Sequence, residues 1–226
     1  NVITFDHYID LIYNTSFMHN VWNSFVIAAI TTIICLAIGI LGSYAMTRLK
    51  YPGRSFFRNS IIISYLMPTA VLFVPMYVFV SSLGFYDNKY SLLIIYPTFV
   101  VPYCCYMLIS YFKAIPYALE EAALIDGCNR LQTLWYIIMP IALPGIAVVA
   151  TFAFTMAWNE YLYAMIMTTS NVQKTATVAI SGFKYADSAI WGRIMSASVV
   201  CSLPVTLLYI VAQSMLISGK YEGSVK

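Results

Sequence analysis

Charge is what this sequence has least of. It carries 12 basic and 9 acidic side chains in 226 residues, or 9%, where a soluble domain carries roughly 25%. So few charges cannot coat a globule of this length in water without leaving large apolar patches, which excludes a soluble domain and makes a bilayer the expected surroundings. The net charge of +3, with its basic residues scattered, also argues against a nucleic-acid binder, whose affinity rests on clustered phosphate contacts. Catalytic patterns are missing as well. There is no Gly-Lys-Ser/Thr phosphate loop, no Gly-x-Ser-x-Gly elbow and no metal-spaced His pair. His7 and His19 both lie near the first residue and read as interfacial. Cys35, Cys104, Cys105 and Cys201 sit in apolar stretches and Cys128 in a polar loop, so no pair has disulfide or zinc spacing. They read as small buried hydrophobes, and no metal site is expected.

What the chain has is apolar length. Residues 21–47, 60–80, 91–112, 137–165 and 194–216 each reach the about 20 residues that a helix needs to cross roughly 30 Å of hydrocarbon. None has Lys or Arg at its centre. The expected fold is an all-α polytopic transmembrane helix bundle forming a single domain over 1–226. Basic residues orient it, because translocating them is disfavoured. Arg48, Lys50, Arg54, Arg58, Lys113, Arg130, Lys220 and Lys226 fall on one side, which should be cytoplasmic. Only Lys89, Lys174, Lys184 and Arg193 fall on the other. This leaves the first residue outside, so a sixth, N-terminal span is expected in the native protein; an N-out protein of five spans is the alternative.

The loop 113–136 is patterned beyond what a connector needs. Pro116 suits a first helical turn, Glu120 and Glu121 follow, and Gly127 is placed to end the helix in a left-handed cap. Asn129 with Gln132 forms a capping box for a second helix beginning near Arg130. Small residues Ala118, Ala122 and Ala123 let another backbone come close, and the acids can meet a basic partner. A helix resting on lipid headgroups would share these features.

The residues Glu121-Ala122-Ala123, then Gly127 after three positions, then Ile137-Ile138-Met139-Pro140 after nine more, resemble the signature of binding-protein-dependent ABC importer permeases. Met139 stands where that pattern prefers Leu, a volume-conserving exchange. Asn23-Ser24, Tyr51-Pro52-Gly53-Arg54, Leu143-Pro144, Trp158-Asn159-Glu160-Tyr161, Trp191-Gly192 and the ending from Gly219 onward are similar to the carbohydrate-uptake, maltose-type branch. The resemblance implies that 113–136 holds a cytoplasmic coupling helix docked on an ATP-hydrolysing subunit. Glu120, Glu121, Ala122, Ala123, Asp126 and Gly127 would make that contact, with Glu121 meeting a basic residue. It further implies a second permease subunit, two cytoplasmic ATP-binding subunits that carry the ATP and Mg, an extracytoplasmic solute-binding protein, and a prokaryotic inner-membrane location. This chain would perform no catalysis and bind no cofactor.

The solute path is less marked. Glu160 adjoins a long apolar stretch with Trp158, Asn159, Tyr161 and Tyr163 around it. An ionisable group at that depth suggests a path or gating role, and aromatic faces beside polar groups suit sugar rings. An outer interfacial belt would have the same composition. The external loop 168–191 is the expected landing place of a binding protein, with Asn171, Gln173, Lys174, Tyr185 and Asp187 as candidates. The expected solute is an oligosaccharide or other carbohydrate. A glycerol phosphate is disfavoured by the absence of a central Lys or Arg, and an ion-coupled secondary transporter by the single acid near a span.

Overall fold

In the computed structural model the backbone is described for residues 5–185, 188–189 and 191–222, and the side chains for 5–183 and 191–213. In chain order the helices are α1 (Asp6–Tyr13), α2 (Phe17–Arg48), α3 (Arg54–Leu66), α4 (Phe73–Ser82), α5 (Leu92–Ile95), α6 (Pro97–Ala114), α7 (Tyr117–Ile125), α8 (Arg130–Thr133), α9 (Met139–Trp158), α10 (Leu162–Met167), α11 (Ala176–Ser181) and α12 (Trp191–Glu222). Short 3-10 turns cover Thr69–Leu72 and Lys89–Ser91, and a π-helical turn covers Leu134–Ile138. The two-residue strands β1 (Lys184–Tyr185) and β2 (Ser188–Ala189) pair antiparallel.

Among the described residues three stretches, Phe17–Arg48, Arg130–Trp158 and Trp191–Gln213, are each long and apolar enough to cross a membrane. Two bent pairs, Arg54–Leu66 with Thr69–Ser82 and Lys89–Ile95 with Pro97–Ala114, bring the number to five if each pair is one span. Proline explains both breaks. Pro68 cannot donate a backbone hydrogen bond and holds Met67 extended at φ −72°, ψ 129°. Pro97 opens α6 directly after Tyr96.

The fourth span lies in a different register from the expected 137–165. Asn129 Oδ1 accepts from Gln132 N at 2.9 Å and Gln132 Oε1 accepts from Asn129 N at 2.8 Å, so the helix starts at Arg130, ahead of the apolar run. The π-helical turn then lets the helix pass Pro140, which has no N–H to give the carbonyl of residue 136. The helix stops at Trp158 because the next turn is capped separately, by Glu160.

The chain forms two compact units. In the first, built from residues up to 31, 68–97 and 154–208, Leu11, Phe17, Ala176 and Ala197 form a buried cluster with Val21, Phe183 and Val200 packed on it. Gly192 lies under the His7 ring, which a Cβ at that position would displace. In the second, built from 32–67, 98–153 and residues from 209 onward, Met46, Cys105 and Ile109 are buried together. Gly145 in this unit faces the ring of Tyr111 so closely that a Cβ would come within 2.6 Å of it.

Helix α12 is different. Only 11% of its most apolar stretch is buried within the chain, so its Leu203, Leu207 and Ile210 are left for lipid or another subunit.

Candidate functional site

The patterned loop folds as its composition requires. Pro116 precedes the first turn of α7. At the other end Cys128 N–H bonds back to Ala123 O at 2.9 Å across Gly127, whose φ of +91° a side chain would disfavour. Helical spacing then gives α7 two faces. Glu120 and Ala123 point inward, 0% and 5% exposed. Glu121, Ala122, Asp126 and Gly127 lie outward with Leu119 and Ile125. Ile125 is 86% exposed, a large apolar side chain at a helix end that the sequence reading did not single out.

The inward face meets the C-terminal end of α2, at Arg48. Arg48 Nε lies 2.7 Å from Glu120 Oε1, and both side chains are buried. Arg48 Nη2 donates to Phe112 O at 2.6 Å and Ile115 O at 2.7 Å, which ties it to the end of α6. The Tyr117 ring covers its guanidinium at 5.0 Å, and Tyr117 Oη donates to Arg48 O at 2.9 Å. Burial raises the Glu120 pKa, while the Arg48 and Arg130 charges pull it down. Arg54 serves the same end of α2. It donates to Met46 O and Thr47 O, each at 2.6 Å, and so caps carbonyls that the helix leaves without partners. The Tyr51-Pro52-Gly53-Arg54 run is thus a turn, with Gly53 at φ +83°, followed by a capping residue.

In the first unit, 168–191 is a folded segment and not a bare loop, since it contains α11 and the strand pair. Polar side chains of α2 hold it. Asn20 Nδ2 donates to Asn171 O and Lys174 O at 2.8 and 2.9 Å, and Asn23 Nδ2 to Val172 O and Lys174 O at 2.8 and 3.0 Å. Ser24 Oγ accepts from Ala176 N at 2.8 Å. Asp87, at φ +51°, accepts from Thr169 N and Ser170 N, which lower its pKa. A polar cavity of about 480 Å³ opens beside this contact, lined by Asn14, Ser16, Asn20, Asn171, Lys174 and Arg193. Of the docking candidates, Gln173 Oε1 accepts from Lys89 N and Lys174 Nζ donates to Asn171 Oδ1. The Tyr185 side chain and Asp187 lie outside the described residues.

These features coincide with a family match. The sequence profile of the binding-protein-dependent transport system inner membrane component fits residues 38–218. The chain belongs to that family. Over 226 residues, 99% of this chain and 80% of the relative, it is 37% identical to the inner membrane ABC transporter permease protein YcjP of Escherichia coli. It is 30% identical over its whole length to the trehalose transport system permease protein SugB of Mycobacterium tuberculosis, 83% of which is covered. It is 31% identical, over 90% of this chain and 74% of the relative, to the trehalose/maltose transport system permease protein MalG of Thermococcus litoralis. Its fold matches a solved bacterial ABC transporter that imports the acidic polysaccharide alginate. That match has a TM-score of 0.75 at 23% identity and covers 94% of this chain and 79% of the other. The chain is therefore an inner-membrane transport component with the helical fold expected of an ABC permease.

The residues that this permease was expected to use for its solute do not form one open aromatic face. Trp158 is buried and stacks on Phe154 with centroids 5.6 Å apart. Tyr163 is buried and donates to Thr69 O at 2.9 Å. Glu160 caps α10 by accepting from Tyr163 N at 2.9 Å and Ala164 N at 3.1 Å, and Tyr96 Oη donates to it at 3.0 Å. Tyr161 is half-buried, and Asn159 is the exposed one of the five. The sequence reading missed a cleft of about 330 Å³ between Phe73, Val74, Tyr77, Tyr86, Ile166 and Thr169. The i, i+4 spacing of Phe73 and Tyr77 was its only signal. No group of His, Cys, Asp or Glu able to hold a metal ion occurs among the described residues.

Proposed function

We propose that this permease is the membrane-spanning part of an ATP-driven importer for an oligosaccharide, and that α7 is its coupling helix. The observation that carries this reading is the two-faced α7. Its inward face is anchored by a buried ion pair, and its outward face presents Glu121, Asp126, Ala122 and the exposed Ile125. A short rod fixed to the membrane helices and open on its other side is suited to receive the motion of a soluble ATPase and bias the bundle between inward and outward states. ATP and Mg would sit on two such ATPase subunits and not on this chain. A second permease subunit would cover the apolar face that α12 leaves exposed.

The carbohydrate assignment rests on the trehalose and trehalose/maltose permeases named above. The segment 168–191, with the polar cavity at its base, would receive the extracytoplasmic binding protein. Uptake of labelled disaccharides and longer oligosaccharides by proteoliposomes containing the whole assembly tests the solute class. Accumulation of a sugar that depends on both ATP and binding protein supports the reading, and accumulation of non-carbohydrate solutes alone contradicts it.

A further inference from the structure

We infer that Arg48 and Glu120 form the joint through which α7 moves the cytoplasmic end of α2, which makes both of them positioning residues for coupling. This rests on the reading of α7 as a coupling helix. The helix α7 is joined to α6 through Ile115 and Pro116, and to α8 through the turn containing Gly127. Arg48, the last residue of α2, braces it from the side. Its Nη2 is fixed on Phe112 O and Ile115 O, its Nε lies against Glu120, and Tyr117 of α7 both covers its guanidinium and bonds its carbonyl. One side chain therefore connects α2, the end of α6 and α7.

Burial makes this connection stiff. Glu120 is wholly buried, and neither of its oxygens makes an aligned hydrogen bond to a described residue, so the Arg48 guanidinium at 2.7 Å is its principal compensation. A buried pair of this kind adds little net stability compared with apolar residues, yet separating it leaves uncompensated charge. Any shift of α7 must therefore carry the end of α2 with it or pull the pair apart.

The test uses the complete transporter, with its ATPase subunits and binding protein, in proteoliposomes. Glu120→Gln keeps the side-chain shape and removes the charge. We expect it to assemble with the ATPase, while the solute taken up per ATP hydrolysed falls about fivefold or more, as for the loss of an inter-site coupling. Tyr117→Phe, which deletes only a hydroxyl, should lower the same ratio by less, and it decides the matter if Glu120→Gln does not accumulate. An unchanged ratio overturns the inference, even if both rates fall together, because a purely structural pair would reduce only the amount of working transporter. Glu121→Lys in the same assay separates the two claims. If it weakens ATPase association while Glu120→Gln keeps the normal ratio, only the joint is wrong. If it leaves association and stimulated hydrolysis unchanged, the coupling-helix reading itself fails.

Discussion

Glu120 and Glu121 are neighbours in sequence, about 100° apart around α7, and fall on either side of its burial boundary. The first is buried against Arg48, and the second is exposed on the free face of α7. Two adjacent acids of the same helix thus have different work, one holding the helix to its own chain and the other available to a partner.

The free face predicts a binding phenotype. Ile125→Asp removes an apolar contact from the expected ATPase groove and should weaken association about tenfold, the equivalent of about 1.4 kcal/mol. Ile125 packs little within the chain, so the melting temperature of the isolated permease should stay within error of the wild type. Titration of purified ATPase subunit onto immobilised permease measures the first quantity, and thermal unfolding in detergent measures the second.

Glu160 is expected to be replaceable where its shape is kept. Glu160→Gln keeps one acceptor oxygen, enough for Ala164 N and Tyr96 Oη on the Oε2 side but not for Tyr163 N on the Oε1 side as well, so it should lose part of the cap while uptake at saturating solute remains near wild type. Glu160→Ala loses the cap and should cost about 1 kcal/mol of stability. A collapse of uptake in Glu160→Gln with unchanged stability would assign the carboxylate a direct role in the path.

Close packing in the second unit gives a stability prediction. Gly145→Val places a branched side chain where even a Cβ meets the Tyr111 ring at 2.6 Å. The expected loss is about 1–3 kcal/mol, read from the melting temperature in detergent. Gly84→Ala is the informative contrast, because no atom lies within 4 Å of a Cβ there and the cost arises only from its φ of +81°.

Acid should release α1. Asp10 bonds Arg193 through both guanidinium contacts, one of them Nη2 to Oδ1 at 2.9 Å, and this together with Asn14 lowers its pKa to about 2. A carboxylate lowered in the folded state contributes stability above its usual value of 3.8 and loses it as pH falls toward about 2. Hydrogen exchange of Asp6–Tyr13 should therefore rise across that window in the wild type. In Asp10→Asn it should be raised already at neutral pH and respond less to acid.

Several parts of this architecture are legible in the sequence because the forces that set them are local. Helix α7, its stop at Gly127 and the Asn129–Gln132 cap depend on residues within a few positions of one another. The register of the fourth span is not legible from hydropathy, which averages over the polar first turn at Arg130 and runs past the break at Asn159. Arg48 counts in the sequence as one more basic residue of a cytoplasmic loop. Its burial against Glu120 is a match between distant segments that no local pattern marks. The same holds for Asn20, and for Asn23, whose place in the resemblance named no partner: the two bind carbonyls of Asn171, Val172 and Lys174. Trp158 and Tyr163 have the composition of a sugar site, but packing and capping interactions occupy them.

The most direct test of the account is ATP hydrolysis by the reconstituted transporter, with and without solute-loaded binding protein, for the wild type and Glu121→Lys. The account predicts that loaded binding protein stimulates hydrolysis in the wild type, and that Glu121→Lys loses both the stimulation and stable attachment of the ATPase. Stimulation and attachment equal to wild type in Glu121→Lys would contradict it.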